Sequence, residues 1–251
     1  MLITQTSAII TGGASGLGEA TARHFRAMGA KVTILDRDAA RGQSIARDIG
    51  AAFAAVDVTD EASVQAGVNH AKAEMGGLNV VVNCAGIVTG QRILGKSGVH
   101  SLDGFSKTIG INLIGTFNVL RLAAQAMEMN EPDADGARGV IINTASIAAM
   151  EGQVGQAAYS ASKAGVAGMT LPIARDLARQ GIRVMAIAPG IFMTPMLESL
   201  GDEALAELSA KVTFPKRPGR PQEFAHLAQT IVECGYLNGE TIRIDGALRL
   251  T

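Results

Sequence analysis

SAIITGGASGLG, residues 7–18, decides how the rest of the chain is read. The apolar run SAIIT (7–11) is strand-like, and TGGASGLG (11–18) places Gly12, Gly13, Gly16 and Gly18 between it and a helix that runs to about Met28. This is not the G-x-G-x-x-G spacing of the standard dinucleotide fingerprint. The physics is shared. Glycines let a strand-to-helix turn tighten and let backbone N–H groups approach a pyrophosphate at the positive end of a helix. Such a turn can also exist with no ligand, so its weight depends on the residues downstream of it.

Downstream, the same unit repeats. KVTILD (31–36), AAFAAVDV (51–58), NVVVN (79–83), GVIINTAS (139–146), IRVMAIAP (182–189) and ETIRID (240–245) are further short apolar runs. Helical segments are expected over 39–49, 61–75, 101–129 with a break, 157–180 and 221–235. Strands apolar on both faces suit a parallel sheet covered by helices, and regular alternation gives a doubly wound α/β fold. The expected architecture is a single domain over 1–251, a Rossmann-like parallel sheet of about seven strands. NEPDADGAR (130–138) reads as a solvent loop, and 191–219, with Pro195, Pro215 and Pro218, as irregular.

The composition narrows the function. The 251 residues are 47% hydrophobic and 18% charged with a net charge of −1, which suits a large core and lacks the basic stripe of a nucleic-acid surface. No run approaches the roughly 20 apolar residues of a membrane span, and MLITQTSAIITGG has no basic n-region or long apolar core of a signal peptide. Cys84 and Cys234 are 150 residues apart and read as reduced thiols. Together these predict a soluble cytoplasmic protein. Ser146 sits in TASI and not in the G-x-S-x-G of a hydrolase elbow. His24, His70, His100 and His226 fall outside every motif, and no cluster has metal-ligand spacing, so no metal is expected.

Asp36 closes the second strand, 18 residues after Gly18. A carboxylate there accepts hydrogen bonds from ribose hydroxyls and repels a 2′-phosphate. Arg37 is adjacent, but no Lys or Arg lies within 12–18, so NAD is expected over NADP.

YSASK (159–163) holds one of only two tyrosines. Tyr159 and Lys163, four residues apart, share a helix face. A phenol titrates near pH 10, too high for a base at neutral pH, and a neighbouring cation lowers it. Ser146, at a strand end 13 residues earlier, offers a hydroxyl for a substrate oxygen. Asn112, in GINLIGTF, is an amide in an otherwise apolar helix run.

TGGASGLG, Asp36, DV (57–58), NCAG (83–86), Asn112, Ser146, YSASK and PG (189–190) together resemble, in order, the motifs of the short-chain dehydrogenase/reductase family. The resemblance spans the chain. It implies Tyr159 as catalytic acid/base, with Lys163 lowering its pKa and binding the nicotinamide ribose. It implies Ser146 orienting the substrate oxygen and Asn112 holding a water in a proton relay. Gly12, Ser15, Gly16, Leu17 and Gly18 would form the pyrophosphate turn, and Asp36 would bind the adenosine ribose. Asp57 and Val58 would flank the adenine, and Asn83, Ala85 and Gly86 would pack along the cofactor. Pro189, Ile191 and Thr194 would meet its nicotinamide end.

GVIINTASIAAMEGQVGQAAYSASKAGVAGMTLPIARDLA (139–178), GTFNVLRLAAQAM (115–127) and LNGETIRIDGALR (237–249) are similar to a narrower subgroup, the type 2 3-hydroxyacyl-CoA dehydrogenases, also described as short-chain 17β-hydroxysteroid or 3-hydroxy-2-methylbutyryl-CoA dehydrogenases. The long loops IVTGQRILGKSGVHSL (87–102) and 130–138 fit that subgroup. The resemblance implies NAD-linked interconversion of (S)-3-hydroxyacyl-CoA and 3-oxoacyl-CoA in a homotetramer. Ile147, Val154, Leu197 and Leu200 would wall the substrate, with Gln153 or Gln156 near its reacting end and 191–219 as a lid. Lys96, Lys211, Lys216 and Arg217 are candidate CoA-phosphate contacts. Alternatives are a 3-oxoacyl-carrier-protein or acetoacetyl-CoA reductase, a hydroxysteroid dehydrogenase, and a non-catalytic NAD-binding scaffold. The scaffold would be expected to have lost Ser146, Tyr159 or Lys163.

Overall fold

The computed structural model describes residues 1–96, 98–198 and 201–250; of Met196, Glu198, Asp202 and Ala204 it describes only the backbone. Seven parallel strands form one sheet in the order β3-β2-β1-β4-β7-β8-β9. They are β1 (Ser7–Thr11), β2 (Lys31–Asp36), β3 (Ala52–Ala55), β4 (Val80–Asn83), β7 (Gly139–Thr144), β8 (Ile182–Pro189) and β9 (Thr241–Ile244). β5 (Leu94–Gly95) and β6 (Gly98–Val99) make a separate two-stranded hairpin.

Alternation along each strand builds two cores. Ile10, Val82 and Ile142 point to one face, where Phe25 of α1 (Gly16–Ala27) and Phe224 of α9 (Pro221–Glu233) cover them. Ile9, Val81 and Ile141 point to the other, under Val64 and Val68 of α3 (Glu61–Met75) and Val119 and Leu120 of α5 (Gly115–Glu128). This is why the strands read as continuous apolar runs. The crossover helices are bounded by their own residues. Asp38 caps α2 (Ala39–Ile49) by accepting from the Arg41 N–H at 3.0 Å, and Asp60 caps α3 by accepting from the Ser63 N–H at 2.9 Å. Gly50 and Gly76 close them in the left-handed conformation.

The break expected within the 101–129 helix is a π turn at Gly110–Ile114, between α4 (Leu102–Ile109) and α5. Other segments differ from the sequence expectation: the strand expected over 51–58 ends at Ala55, and the β5–β6 hairpin was not expected. The helix expected over 157–180 is α6 (Ala157–Asp176) followed by a 3₁₀ turn, Ala178–Gln180. The stretch 191–219 is not irregular throughout: it carries α7 (Pro195–Glu198) and α8 (Asp202–Lys211). Pro195 reads in sequence as a breaker, but Pro also suits the first position of a helix, where no N–H is needed.

Candidate active site

The carboxyl ends of β1, β2, β4, β7 and β8 open onto a cleft of about 450 Å³. At one end lies the glycine turn. Gly12 has φ +64°, and a Cβ there would stand 2.8 Å from the Ala85 nitrogen. A Cβ on Gly18 would stand 2.2 Å from the Gly12 carbonyl oxygen. The β1 turn, the start of α1 and the β4 turn therefore touch backbone to backbone. Ser15 caps α1 without a side-chain hydrogen bond to its first turn, which leaves those N–H groups to face the cleft.

Asp36 lines the same end, its carboxylate accepting from the Ala14 N–H and the Asp38 N–H, each at 3.0 Å. It thereby ties the glycine turn to the end of β2. Asp57 accepts from the N–H and hydroxyl of Thr59 at 2.9 and 2.7 Å, and these bonds hold its carboxyl below the usual range. Val58 lies beside it in the cleft wall.

Beneath the floor, the strand register aligns Thr11, Asn83 and Asn143 across β1, β4 and β7. The Thr11 Oγ1 accepts from the Cys84 and Ala85 N–H groups at 3.1 Å each, and Asn83 Nδ2 donates to Asn143 Oδ1 at 2.9 Å. Asn83 is thus a buried cross-strand strut. It does not reach the cleft surface, contrary to the expectation that it packs along the cofactor.

At the other end Ser146, Tyr159 and Lys163 converge. Ser146, buried at the end of β7, accepts from the Ala148 N–H at 3.1 Å and starts a 3₁₀ turn, Ile147–Ala149. Tyr159 and Lys163 project from adjacent turns of α6, with the Lys163 Nζ 5.9 Å from the ring centroid. Burial raises the Tyr159 pKa, and a hydrogen bond with Ser146 pulls against that rise. Lys163 is buried and its pKa is pushed down to about 8 by loss of solvent. Its ammonium donates to the Thr144 carbonyl at 2.6 Å. The net shift of the phenol is therefore upward, set by burial and opposed by Ser146, while the neighbouring amine is itself desolvated and bonded to the floor. Cys84 sits opposite, burial pushing its thiol up to about 11, where it is a neutral partner for the Thr144 hydroxyl.

Asn112 lies inside the π turn, fully buried behind Gly86. Its Oδ1 accepts from the Ile87 N–H at 2.8 Å, and its Nδ2 donates to the Ile87 carbonyl at 2.9 Å and to the Ser162 hydroxyl at 3.1 Å. Both amide protons are used, so the side chain can receive a water only at Oδ1. It fixes the β4 turn against α6, and the π turn supplies the extra residue that lets it point there.

A family model described as short chain dehydrogenase matches residues 6–205. The chain belongs to that family. It is 56% identical over 247 residues to 3-hydroxyacyl-CoA dehydrogenase type-2 of Bos taurus, covering 97% of this chain and 95% of that protein. It is 51% identical to the protein of the same name from Drosophila melanogaster, covering 99% of both. A crystal structure of 3-hydroxyacyl-CoA dehydrogenase type-2 from Mycobacterium avium superposes with a TM-score of 0.94 at 48% identity, covering 98% of this chain and 96% of that one. This short-chain dehydrogenase is therefore an oxidoreductase that uses a nicotinamide cofactor. The close glycine turn, the unpaired first-turn N–H groups of α1 and the strand-end carboxylate fit such a dinucleotide.

Of the expected contacts, Gly12, Ser15, Gly16, Leu17, Gly18, Asp36, Asp57, Val58, Ala85, Gly86, Pro189 and Thr194 line the cleft with the Ser146, Tyr159 and Lys163 group. Ile191 does not; it lines a second cavity of about 190 Å³ with Val212, Arg217 and Gly246. Neither do Gln153, Gln156 or Leu197. Gln156 instead accepts from the Gln153 N–H at 3.0 Å and shapes the turn before α6. Ile147 is buried in that turn, Val154 faces solvent, and Leu200 lies outside the described residues. Arg217 makes a two-pronged ion pair with Glu223, and Lys211 an exposed pair with Glu207 one helical turn away. Thr144, Ile111, Val88 and Phe192 also line the cleft, beyond the residues the sequence pointed to. Thr144 carried a usable signal, lying two residues before Ser146 at the same strand end. Phe192 did not, because a loop aromatic looks alike whether it faces a ligand or a core.

The expected lid, 191–219, is tied at both ends. Met193 N–H donates to the Gly219 carbonyl and Gly219 N–H to the Ile191 carbonyl, each at 2.8 Å. Phe214 N–H donates to the Gly246 carbonyl at 3.1 Å. Between these anchors lie α7 and α8. Among the described residues no helix is long and apolar enough to cross a membrane, and no group of three His, Cys, Asp or Glu could hold a metal ion.

Proposed function

We propose that this dehydrogenase interconverts (S)-3-hydroxyacyl-CoA and 3-oxoacyl-CoA with NAD. The observation that carries the reading is the convergence of Ser146, Tyr159 and Lys163 at one end of a cleft whose other end carries Asp36. The substrate class is supported by the names of the relatives. When bound, the nicotinamide would supply the hydride chemistry. The chain's own residues do the rest. Ser146 donates a hydrogen bond to the substrate oxygen and Tyr159 takes the hydroxyl proton during oxidation, returning it during reduction. Lys163 holds the nicotinamide ribose, with Asn112 bracing the β4 turn beside it. Asp36 accepts from the adenosine ribose hydroxyls and disfavours a 2′-phosphate.

The span of α7 and α8 acts as the lid, hinged near Thr194 and Val212, and its closure excludes water. Exposed Ile114, Phe117 and Leu171 on the π turn, α5 and α6 support assembly as a homotetramer through those helices. Fatty-acid metabolism in the cytoplasm is the setting that suits this substrate and the two unpaired thiols.

The test is reduced-cofactor formation with short, branched and long 3-hydroxyacyl-CoAs, run beside NADP and a hydroxysteroid. NAD-linked turnover on one acyl-CoA class is expected. Turnover only with the steroid, or only with NADP, overturns the assignment.

A further inference from the structure

Glu151 lies five residues after Ser146 and eight before Tyr159, in the turn that connects them. Its carboxylate is held from the far end of the chain. Arg243 of β9 donates to both oxygens, at 2.8 and 3.2 Å; the Leu250 N–H donates at 3.1 Å, and Arg249 lies at 3.4 Å. Arg243 also donates to Asp245 at 2.7 Å and to the Leu248 carbonyl at 3.1 Å. Asp245 in turn packs on Gly190, where a Cβ would stand 2.8 Å from the Asp245 Cβ, and Gly190 N–H donates to the Ile244 carbonyl at 2.9 Å.

The network therefore joins two walls of the cleft. One is the turn that starts at Ser146; the other is the Pro189–Gly190 turn after β8. Nothing else in the 147–156 turn reaches β9 by a side-chain hydrogen bond among the described residues. Glu151 touches neither the cleft nor the reacting groups. Its side chain is 21% exposed and that of Asp245 9%, so the bonds are partly shielded and geometrically fixed by the two-pronged Arg contact.

We infer that Glu151 is a positioning residue: clamped by Arg243 and the C-terminal tail, it sets the distance between the Ser146 hydroxyl and the nicotinamide end of the cleft. The inference rests on the proposed roles of Ser146 and Tyr159. Small misplacements of a reacting group are costly, up to about 10²-fold for an ångström.

The experiment compares full-length wild type, Glu151→Gln, Arg243→Lys, the double variant, and a chain ending at Leu248, with acetoacetyl-CoA as probe. Each is measured for NADH binding by fluorescence, for kcat and KM, and for hydrogen exchange over 146–156 with NADH present. The expected result is NADH affinity within about twofold of wild type, kcat/KM lowered between about tenfold and 10²-fold, and faster exchange over 146–156 but not 11–18. The double variant should be no worse than the more impaired single one. A Glu151→Gln enzyme with wild-type kcat/KM and exchange overturns the inference, as does a lowered melting temperature with unchanged kinetics. If Glu151→Gln fails to fold, Arg243→Lys and the shortened chain give the same readouts. Wild type inactive on acetoacetyl-CoA and on the short, branched and long 3-hydroxyacyl-CoAs would instead refute the proposed substrate, and the exchange comparison would still decide whether Glu151 holds the turn.

Discussion

The Lys163 ammonium donates to the Thr144 carbonyl at 2.6 Å, from a helix to the last residue of the neighbouring strand. The bond orients the amine, while burial works against its charge and brings its pKa from 10.5 to about 8. The folded chain thus binds this proton less tightly than the unfolded chain. Below about pH 8 the cost of the buried ammonium is present in full. Between about 8 and 10.5 the unfolded chain holds more protons, so this group makes stability rise with pH. The cost amounts to roughly 3 kcal/mol. Lys163→Met should therefore gain on wild type at neutral pH by up to that amount, with the advantage shrinking as pH approaches 10.5. Denaturant unfolding at several pH values checks this, and a pH-independent difference refutes it.

Tyr159→Phe removes the phenolic proton and keeps the ring. NADH binding should survive, and turnover should fall by about 10²–10⁴-fold, the range for loss of a general acid or base. Activity within a few-fold of wild type would exclude Tyr159 from the chemistry.

The strand runs 7–11, 31–36 and 182–189 coincide with β1, β2 and β8, because a two-faced apolar strand bounded by Gly, Asp or Pro leaves few other readings. The cleft residues in glycine turns and at strand ends were legible for the same reason: a parallel sheet fixes where its carboxyl ends point. Glu151 was not legible. Its partners Arg243 and Leu250 lie 92 and 99 residues away, and a charged turn residue carries no local sign of a distant clamp. Asn83 misled because strand ends offer two directions, into the cleft or across to the next strand, and the partner Asn143 that selects the second is 60 residues off.

Asp36→Ala should weaken NAD binding by about 1.5–3 kcal/mol, the range for hydrogen bonds to a charged group, and narrow the preference over NADP. Part of that loss has a local source. Ala14 and Asp38 would each lose a hydrogen-bond acceptor, loosening the glycine turn. Asp36→Asn retains an acceptor oxygen and loses the charge. It should therefore relax NADP discrimination while keeping more of the turn's stability than Ala does. Equal NADP discrimination in wild type and both variants would remove Asp36 from cofactor choice.

Gly18→Ala tests whether the turn is held by backbone contact or only by flexibility. Ala has no conformational penalty at Gly18, whose φ is not positive, and is the better helix former by about 1 kcal/mol. Propensity alone predicts a stabilised α1. The new Cβ would lie 2.2 Å from the Gly12 oxygen, a main-chain atom with no rotamer to yield. The start of α1 must then move off the β1 turn, an overpacking strain of typically about 1–3 kcal/mol that outweighs the propensity gain. Melting temperature should fall. Cofactor affinity should fall further than stability does if the displaced first-turn N–H groups hold the pyrophosphate as proposed. A Gly18→Ala protein as stable as wild type, with unchanged NADH affinity, would show that the close approach of Gly12 and Gly18 is not needed to hold the dinucleotide.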